Sequence, residues 1–531
     1  MPDSSICSIS DYQGCKLPKH KNYNECILHC SKEEAAKDYA MAHADLDEFR
    51  KKLIEYIANI VVKSREDELE HNDIYRYFGI SSSIRKIEPS KIKLVEKKLK
   101  ESTIVFNNIA FPVRDERDNE DYEPILNKLG KIHFNYCKFY LSWLDIKEAE
   151  CFFQDCEFFS NWYIHNYEVL PNQSNVIYQM CTFHEGVSAA GRKPQEERLS
   201  LTNSQFSDCN FGKELVLEYV DVKVPLFNNG DYFHGQTNFL KVYHCVIEDR
   251  FVINQYCIKT VSFQSSVFKS KFEFRDNCIK EFISDNCNYE DIANYYKSSF
   301  EHIKIIKGIY EDFCVFEGCH FGKKDLKADK SLRTDFEYVT FKSEVNFRNT
   351  KFYDGLDIQH ANFTKEPKFL NAKIDNTYTS RETFRSIKHS FDSIGNYLDA
   401  NKYFALEMKK YKEELEAPNS RKQEKVLFWF NEKISDFGQD YWKPLRIFLY
   451  SSIIYFVLYL GYEYRWLYNI NPEFSKVATL ISKYANMFAL SIMPFKKMLT
   501  EGMEFISLLF YIWYSILIWQ IIVAVKRHTR R

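Results

Sequence analysis

Six residues of metal-ligand type crowd the first thirty positions: Cys7, Cys15, His20, Cys26, His29 and Cys30. Cys7, Cys15, Cys26 and His29 follow the order Cys-x7-Cys-x10-Cys-x2-His. Three thiolates and one imidazole are the donors that close a tetrahedral zinc site. A segment this short and this poor in apolar residues would draw most of its folding energy from the ion. The competing reading is a set of free thiols in a flexible tail, because the spacing is looser than that of a paired Cys-x-x-Cys site. A catalytic zinc is not indicated, since the chain contains no His-Glu-x-x-His.

Other chemistry is sparse. There is no Gly-rich phosphate loop, no Gly-x-Ser-x-Gly elbow and no kinase set. His133, His165, His184, His244 and His320 are scattered and read as surface residues, as do Glu148 and Glu150. The expectation is a protein that is not an enzyme. With 72 basic and 74 acidic residues the net charge is −2, which speaks against a nucleic-acid binder. The start, Met1-Pro2-Asp3-Ser4-Ser5, lacks the features of a secretory signal, so the fifteen cysteines are expected in a reducing compartment.

The elements that must carry these residues are written in aromatic side chains. The 531 residues include 45 Phe, 36 Tyr and 7 Trp but only 16 Gly and 13 Pro, a composition that excludes a disordered chain. Between 132 and 378, Phe residues recur five apart: Phe134/Phe139, Phe153/Phe158, Phe206/Phe211, Phe263/Phe268, Phe316/Phe321, Phe336/Phe341 and Phe347/Phe352. A small residue often stands two positions before the Phe, and seven cysteines fill that slot: Cys137, Cys151, Cys156, Cys181, Cys209, Cys314 and Cys319. Five matches neither a helix nor a long alternating strand. It fits stacked coils with five-residue faces, each coil touching only its neighbours. The intervals from Phe134 to Phe153 and from Phe316 to Phe336 suit about four faces per turn.

These runs, among them Cys151-Phe152-Phe153-Gln154-Asp155-Cys156-Glu157-Phe158, resemble the pentapeptide-repeat proteins. The resemblance covers about half the chain and implies a right-handed quadrilateral β-helix, here interrupted by insertions. Cys26-Ile27-Leu28-His29 resembles short Cys-x-x-His elements at the front of related repeat proteins. The expected organisation is a zinc-binding segment at 1–31, a helical and mixed region at 32–131 and the solenoid at 132–378. A helical cap and membrane-surface linker follows at 379–444, then a membrane hairpin at 445–531. Helices are expected at both ends, because an open solenoid end offers unpaired strand edges. Leu46, Phe49, Leu53, Tyr56 and Ile57 form the apolar stripe of the N-terminal helix.

Two apolar runs near 445–462 and 504–525 are long enough to cross a bilayer as helices. The basic tail Lys526-Arg527-His528-Thr529-Arg530-Arg531 favours the cytoplasmic side, and an even number of spans puts both termini there. Val477 to Met493 reads as an interfacial or re-entrant helix, and Val426-Leu427-Phe428-Trp429-Phe430 as a stretch on the bilayer surface. The layout resembles a bacterial subgroup with a cytosolic repeat body and a membrane hairpin, whose pattern includes Glu382-Thr383-Phe384-Arg385, Gly395-Asn396 and Ala405-Leu406-Glu407-Met408. The expected role is a scaffold or sensor at the inner (plasma) membrane, with a protein partner on its solenoid. The alternative is a pore or effector assembled as a homo-oligomer, although no potassium-filter run is present. A DNA-mimic topoisomerase inhibitor ranks third: residues 101–170 hold 13 acidic against 6 basic residues, but the whole chain is near neutral.

Overall fold

The computed structural model describes all residues except 1–5, 9–14, 16, 34–38, 63–68, 81–86, 114–120, 192–197, 229–235, 325–328, 416–421, 464–478, 487–498 and 530–531. The chain divides into two compact units, Met1–Tyr378 and Thr379–Arg531.

The first unit is built on a parallel β-solenoid of about eleven turns. Every strand pairing within it is parallel and in register with the coil before and after, as Cys257↔Cys278 and Cys278↔Ser299 illustrate. In the centre the coil repeats every 21 residues, so that Val246, Val267, Asn288 and Ile309 stack in one column. The ladder also begins earlier than the Phe spacing suggests. Thr103–Asn107 pairs with Lys131–Asn135, and Ala110–Phe111 with Lys138–Phe139. That first coil carries its own five-residue pair, Phe106/Phe111. The long excursion from Thr103 to its partner Lys131 disguises the period.

The meaning of the five-residue pair is a corner. In all seven pairs the residue two after the first Phe has a left-handed backbone: Tyr136, Asp155, Asp208, Ser265, Gly318, Tyr338 and Asn349, with φ between 48° and 71°. The chain bends there, so the two rings enter the core from adjacent sides and meet edge to face, as Phe206 and Phe211 do at 4.9 Å and 89°. The next residue is small in all seven, and in six it also donates, Val339 being the exception. The Sγ of Cys156 reaches the Phe134 carbonyl oxygen of the previous coil at 3.4 Å, and the Sγ of Cys209 reaches that of Tyr178 at 3.4 Å. Ser298 and Thr350 do the same with hydroxyls, at 2.6 and 2.8 Å. The slot is therefore mostly a small donor that binds a carbonyl at the bend, with Val339 filling it as a small hydrophobe. Cys245 and Cys287 follow left-handed His244 and Asn286 and belong to it too, whereas Cys151 and Cys314 lie on strands. Replacing Thr350 by Val keeps the volume and removes the donor, so a loss of about 1 kcal/mol in denaturant unfolding is expected; no loss would reduce the slot to a packing role.

Rings stack from coil to coil through the core. Phe134, Phe153, Tyr178 and Phe206 form one column with centroids 4.6, 4.9 and 5.6 Å apart. Phe268, Tyr289, Tyr310 and Phe341 form another at 5.0, 4.6 and 5.0 Å. Tyrosines enter these columns because each hydroxyl finds a partner: Tyr178 accepts from Trp162 Nε1 at 2.9 Å, Tyr289 meets Ser284 at 3.0 Å, and Tyr310 meets Tyr295 at 3.2 Å.

The second unit is helical. Arg381–Ser393 and Tyr397–Leu415 form an antiparallel pair. Ser380 caps the first helix through the Thr383 amide, and Gly395, at φ 76°, follows its end. Asn396 Oδ1 accepts from the Asp399 amide at 3.3 Å, at the start of the second helix. Arg385 Nε meets the buried Glu407 at 2.9 Å, and Arg385 Nη1 meets Glu382. Substituting Arg385 by Ala leaves Glu407 buried beside no cation. With the arginine half in water, a loss of about 1–2 kcal/mol is expected, read as a lower midpoint in urea.

Lys422–Ser435 is helical and turns Val426, Leu427, Trp429 and Phe430 outward. Two helices, Trp442–Glu463 and Glu504–Thr529, contain windows long and apolar enough to cross a membrane, with mean hydropathy 1.5 and 2.1. They pack on each other through Phe448 against Tyr514 and Tyr455 against Phe510. A polar seam runs along this contact: Tyr455 OH bonds Thr500 at 3.0 Å and Ser507 at 2.9 Å. Deeper along the second helix, Gln520 donates to Asn431 at 2.9 Å and accepts from Ser435 at 2.8 Å. Of the expected middle helix, residues 479–486 are helical, and the remainder of 477–493 lies outside the described residues. Asn486 caps the second apolar helix by accepting from the Phe505 amide at 3.0 Å and donating to the Gly502 carbonyl at 2.6 Å.

Candidate metal centre

The described residues between Ile6 and Cys30 form a small knot before the first long helix. Ile6 and Pro18 make an antiparallel bridge, the Cys7 amide donates to Leu17 O, and the Ser8 amide to Asn24 O. These bonds return Cys7 to the neighbourhood of Cys26. The Cys26 carbonyl accepts from the amides of His29 and Cys30, so Cys26-Ile27-Leu28-His29 closes as a single turn with both ligand side chains on one side.

Cys7, Cys15, Cys26 and His29 converge, with all four ligand atoms within 4.8 Å of one another. Cys15 Sγ lies 3.7 Å from Cys26 Sγ, and His29 Nδ1 lies 3.3 Å from Cys26 Sγ and 3.5 Å from Cys7 Sγ. Donors at about 2.0–2.3 Å from one tetrahedral ion are separated by edges of this size. The Cys26 amide donates to Cys7 Sγ at 3.2 Å, a bond that stabilises sulfur as thiolate. Among the protein groups alone, a bond from the Cys26 thiol lowers Cys15, while the same bond to Cys15, with burial, pushes Cys26 up to about 11. A cation held by the four would take the place of these shared protons. The group fits a metal ion.

Two of the six sequence candidates stand apart. His20 Nδ1 faces Glu48 at 3.8 Å. Cys30 is buried, and its Sγ receives Lys32 Nζ at 3.1 Å. Lys32 also donates to the carbonyls of Ile27 at 2.7 Å and Cys30 at 2.8 Å, tying down the far end of the ligand turn. Nothing in the sequence marks this lysine, because its role depends on where the turn points its carbonyls.

The knot closes the open end of the solenoid. The amide of Ala110, on the first coil, donates to the Leu28 carbonyl at 2.8 Å, inside the ligand turn itself. Ser31 Oγ and Tyr140 OH lie 3.0 Å apart. The helix Tyr39–Val61 covers the rest of that end: Phe49 packs on Phe111 at 5.9 Å, and Tyr56 OH donates to Val105 O at 3.0 Å. Backbone groups that would otherwise offer an edge are thereby paired or covered.

Four buried cysteines of the bend are different in kind. Burial pushes Cys156 and Cys209 well above the ordinary thiol range, Cys245 to about 12 and Cys287 to about 11, so they remain protonated donors. No family model matches the chain, and neither a curated protein nor a solved structure matches it.

Proposed function

We propose that this chain is a non-enzymatic, membrane-anchored scaffold or sensor of the pentapeptide-repeat kind, whose solenoid presents a protein-binding surface on the cytoplasmic side of a bacterial inner membrane. The observation that carries this reading is the pairing of two lipid-length apolar helices with a solenoid that spends its aromatic residues inside. Ile453, Ile454, Phe456 and Val457 on the first helix, and Ile512, Ile516, Trp519 and Ile522 on the second, are exposed. Water would penalise such a surface and a hydrocarbon core would not. The basic cluster that follows the second apolar run, Lys526 to Arg531 in the sequence, favours a cytoplasmic tail. The outward apolar face of Lys422–Ser435 suits the headgroup boundary.

In this reading the metal is zinc, and its role is structural. Four protein ligands leave no open position for a substrate, and the ligand turn holds the first coil through Leu28. The zinc would supply folding energy to a segment with little core of its own.

Membranes carrying the chain provide the test. Retention through an alkaline carbonate wash is expected, with both termini open to protease only from the cytoplasmic face. Release into the wash, or protection of one terminus only, would overturn the topology. The polar seam of Tyr455, Thr500 and Ser507 within the hairpin favours a second reading, a pore formed by several copies. Molar mass in detergent and bilayer conductance separate the two, and a non-conducting monomer ends the pore.

A further inference from the structure

A groove of about 730 Å³ opens on the solenoid wall and is lined by residues of successive coils, among them Cys257, Lys259, Cys278, Lys280, His320 and Tyr353. Cys257 and Cys278 are in-register partners on neighbouring parallel strands. They are also the two exposed cysteines of the fifteen, the others being buried or half-buried. Two residues further along each strand stand Lys259 and Lys280, both exposed and without an ion pair among the described residues. Lys323 and Lys324 add positive charge, and the one acidic residue of the lining, Glu301, is held by Lys323 at 3.3 Å.

Neighbouring strands lie about 4.8 Å apart. In-register Cα atoms at that spacing fall inside the window of about 4.4–6.8 Å that a disulfide spans. The unpaired lysines give the groove a positive charge that would bind carboxylates. We propose that this groove is a thiol–disulfide exchange site that takes a carboxylate-bearing low-molecular-weight disulfide and ends as a reversible Cys257–Cys278 crosslink between two coils.

The exchange has two displacements. The Cys278 thiolate attacks one sulfur of the small disulfide; that S–S bond breaks, a mixed disulfide forms on Cys278, and one small thiolate leaves. Cys257 then loses its proton to solvent, attacks the Cys278 sulfur and expels the second small thiolate. Two protein thiols are oxidised by two electrons, and the small disulfide is reduced to two thiols. Burial, and then the adjacent Cys278 sulfur, raise the Cys257 thiol, which suits Cys257 to the second, resolving step. An exposed bond of this kind is readily reduced again.

The test uses the full chain in detergent with glutathione disulfide, and in parallel with the uncharged bis(2-hydroxyethyl) disulfide, followed by peptide mapping. A Cys257–Cys278 crosslink that reduced glutathione reverses is expected, and Cys257→Ser should stall with one glutathione on Cys278. Lys259→Glu together with Lys280→Glu should slow the glutathione reaction by about 10-fold while leaving the uncharged reagent nearly unaffected. All four side chains are exposed, so these variants leave the core intact. Separate adducts on the two cysteines with no crosslink would overturn the proposal. So would equal slowing of both reagents by the lysine changes.

Discussion

Cys26→Ser is expected to abolish zinc binding at the proposed N-terminal metal centre and unfasten the cap of the solenoid. Cys26 is its most connected ligand. Its sulfur lies 3.7 Å from Cys15 and 3.3 Å from His29, its amide holds Cys7, and its carbonyl accepts from His29 and Cys30. Serine preserves the backbone turn but offers a hydroxyl that does not ionise in place of a thiolate. Loss of a supporting hydrogen bond alone weakens metal sites by about 10–100-fold, so loss of a ligand should exceed about 100-fold. Zinc per chain, measured after dialysis against a competing chelator, should fall from one equivalent to a trace. Hydrogen exchange at Ala110 should accelerate, because its acceptor Leu28 sits in the ligand turn. The affinity of the unaltered chain should fall as pH is lowered, since protons compete for three thiolates and an imidazole. His20→Ala should retain zinc, because His20 lies by Glu48 and outside the four-ligand group. An unaltered chain that carries no zinc when purified without chelator would sink the assignment.

Phe263→Ala should destabilise the solenoid by about 3–5 kcal/mol. The ring lies between 5.4 and 6.3 Å from those of Phe251, Phe268, Phe272, Phe274 and Phe282. Its strand is held on both sides by Gln236–Tyr243 and Cys278–Asp285. Neighbouring coils therefore cannot close over the space the ring leaves. Because each coil depends on its neighbours, the damage should be local: exchange should quicken in these three strands and change little beyond Thr340. Phe239→Ala supplies the contrast. That ring is half-exposed under Lys241 Nζ, 5.0 Å from its centroid, and its removal should cost no more than about 1 kcal/mol. Equal losses for the two would contradict an inward ladder.

Residue type and spacing made much of this legible, and their failures have physical causes. The Phe pairs located the stacked coils, but the spacing alone did not disclose the left-handed bend between the two rings of each pair. A left-handed residue is invisible as a type here: Tyr136, Asp155, Ser265 and Asn349 share the conformation and no side-chain chemistry. Tyr178, Tyr289, Tyr295 and Tyr310 escaped a search keyed on Phe, although the core treats them alike once a hydroxyl partner is present. The four residues that converge as a candidate metal group were separable from His20 and Cys30 by their order along the chain. What that order could not disclose was Lys32, or the bond from Ala110 that makes the N-terminal knot a cap. Cys257 and Cys278 lay outside the repeat slot, and only the register of two strands, one coil apart, brings them together.

The in-register parallel pairing also has a mechanical consequence. A coil of the central stack is joined to the next by ladders that all run the same way, so a tensile load applied along the chain meets one coil at a time. Each release would free a single coil, about 70 Å of contour, before the next coil bears the load. A tether pulled from the Tyr378 end would lengthen in even steps, interrupted where the spacing widens between Ile309 and Thr340. A body of this kind yields to force as a ratcheting spool, and the knot at its far end would be the last element to come undone.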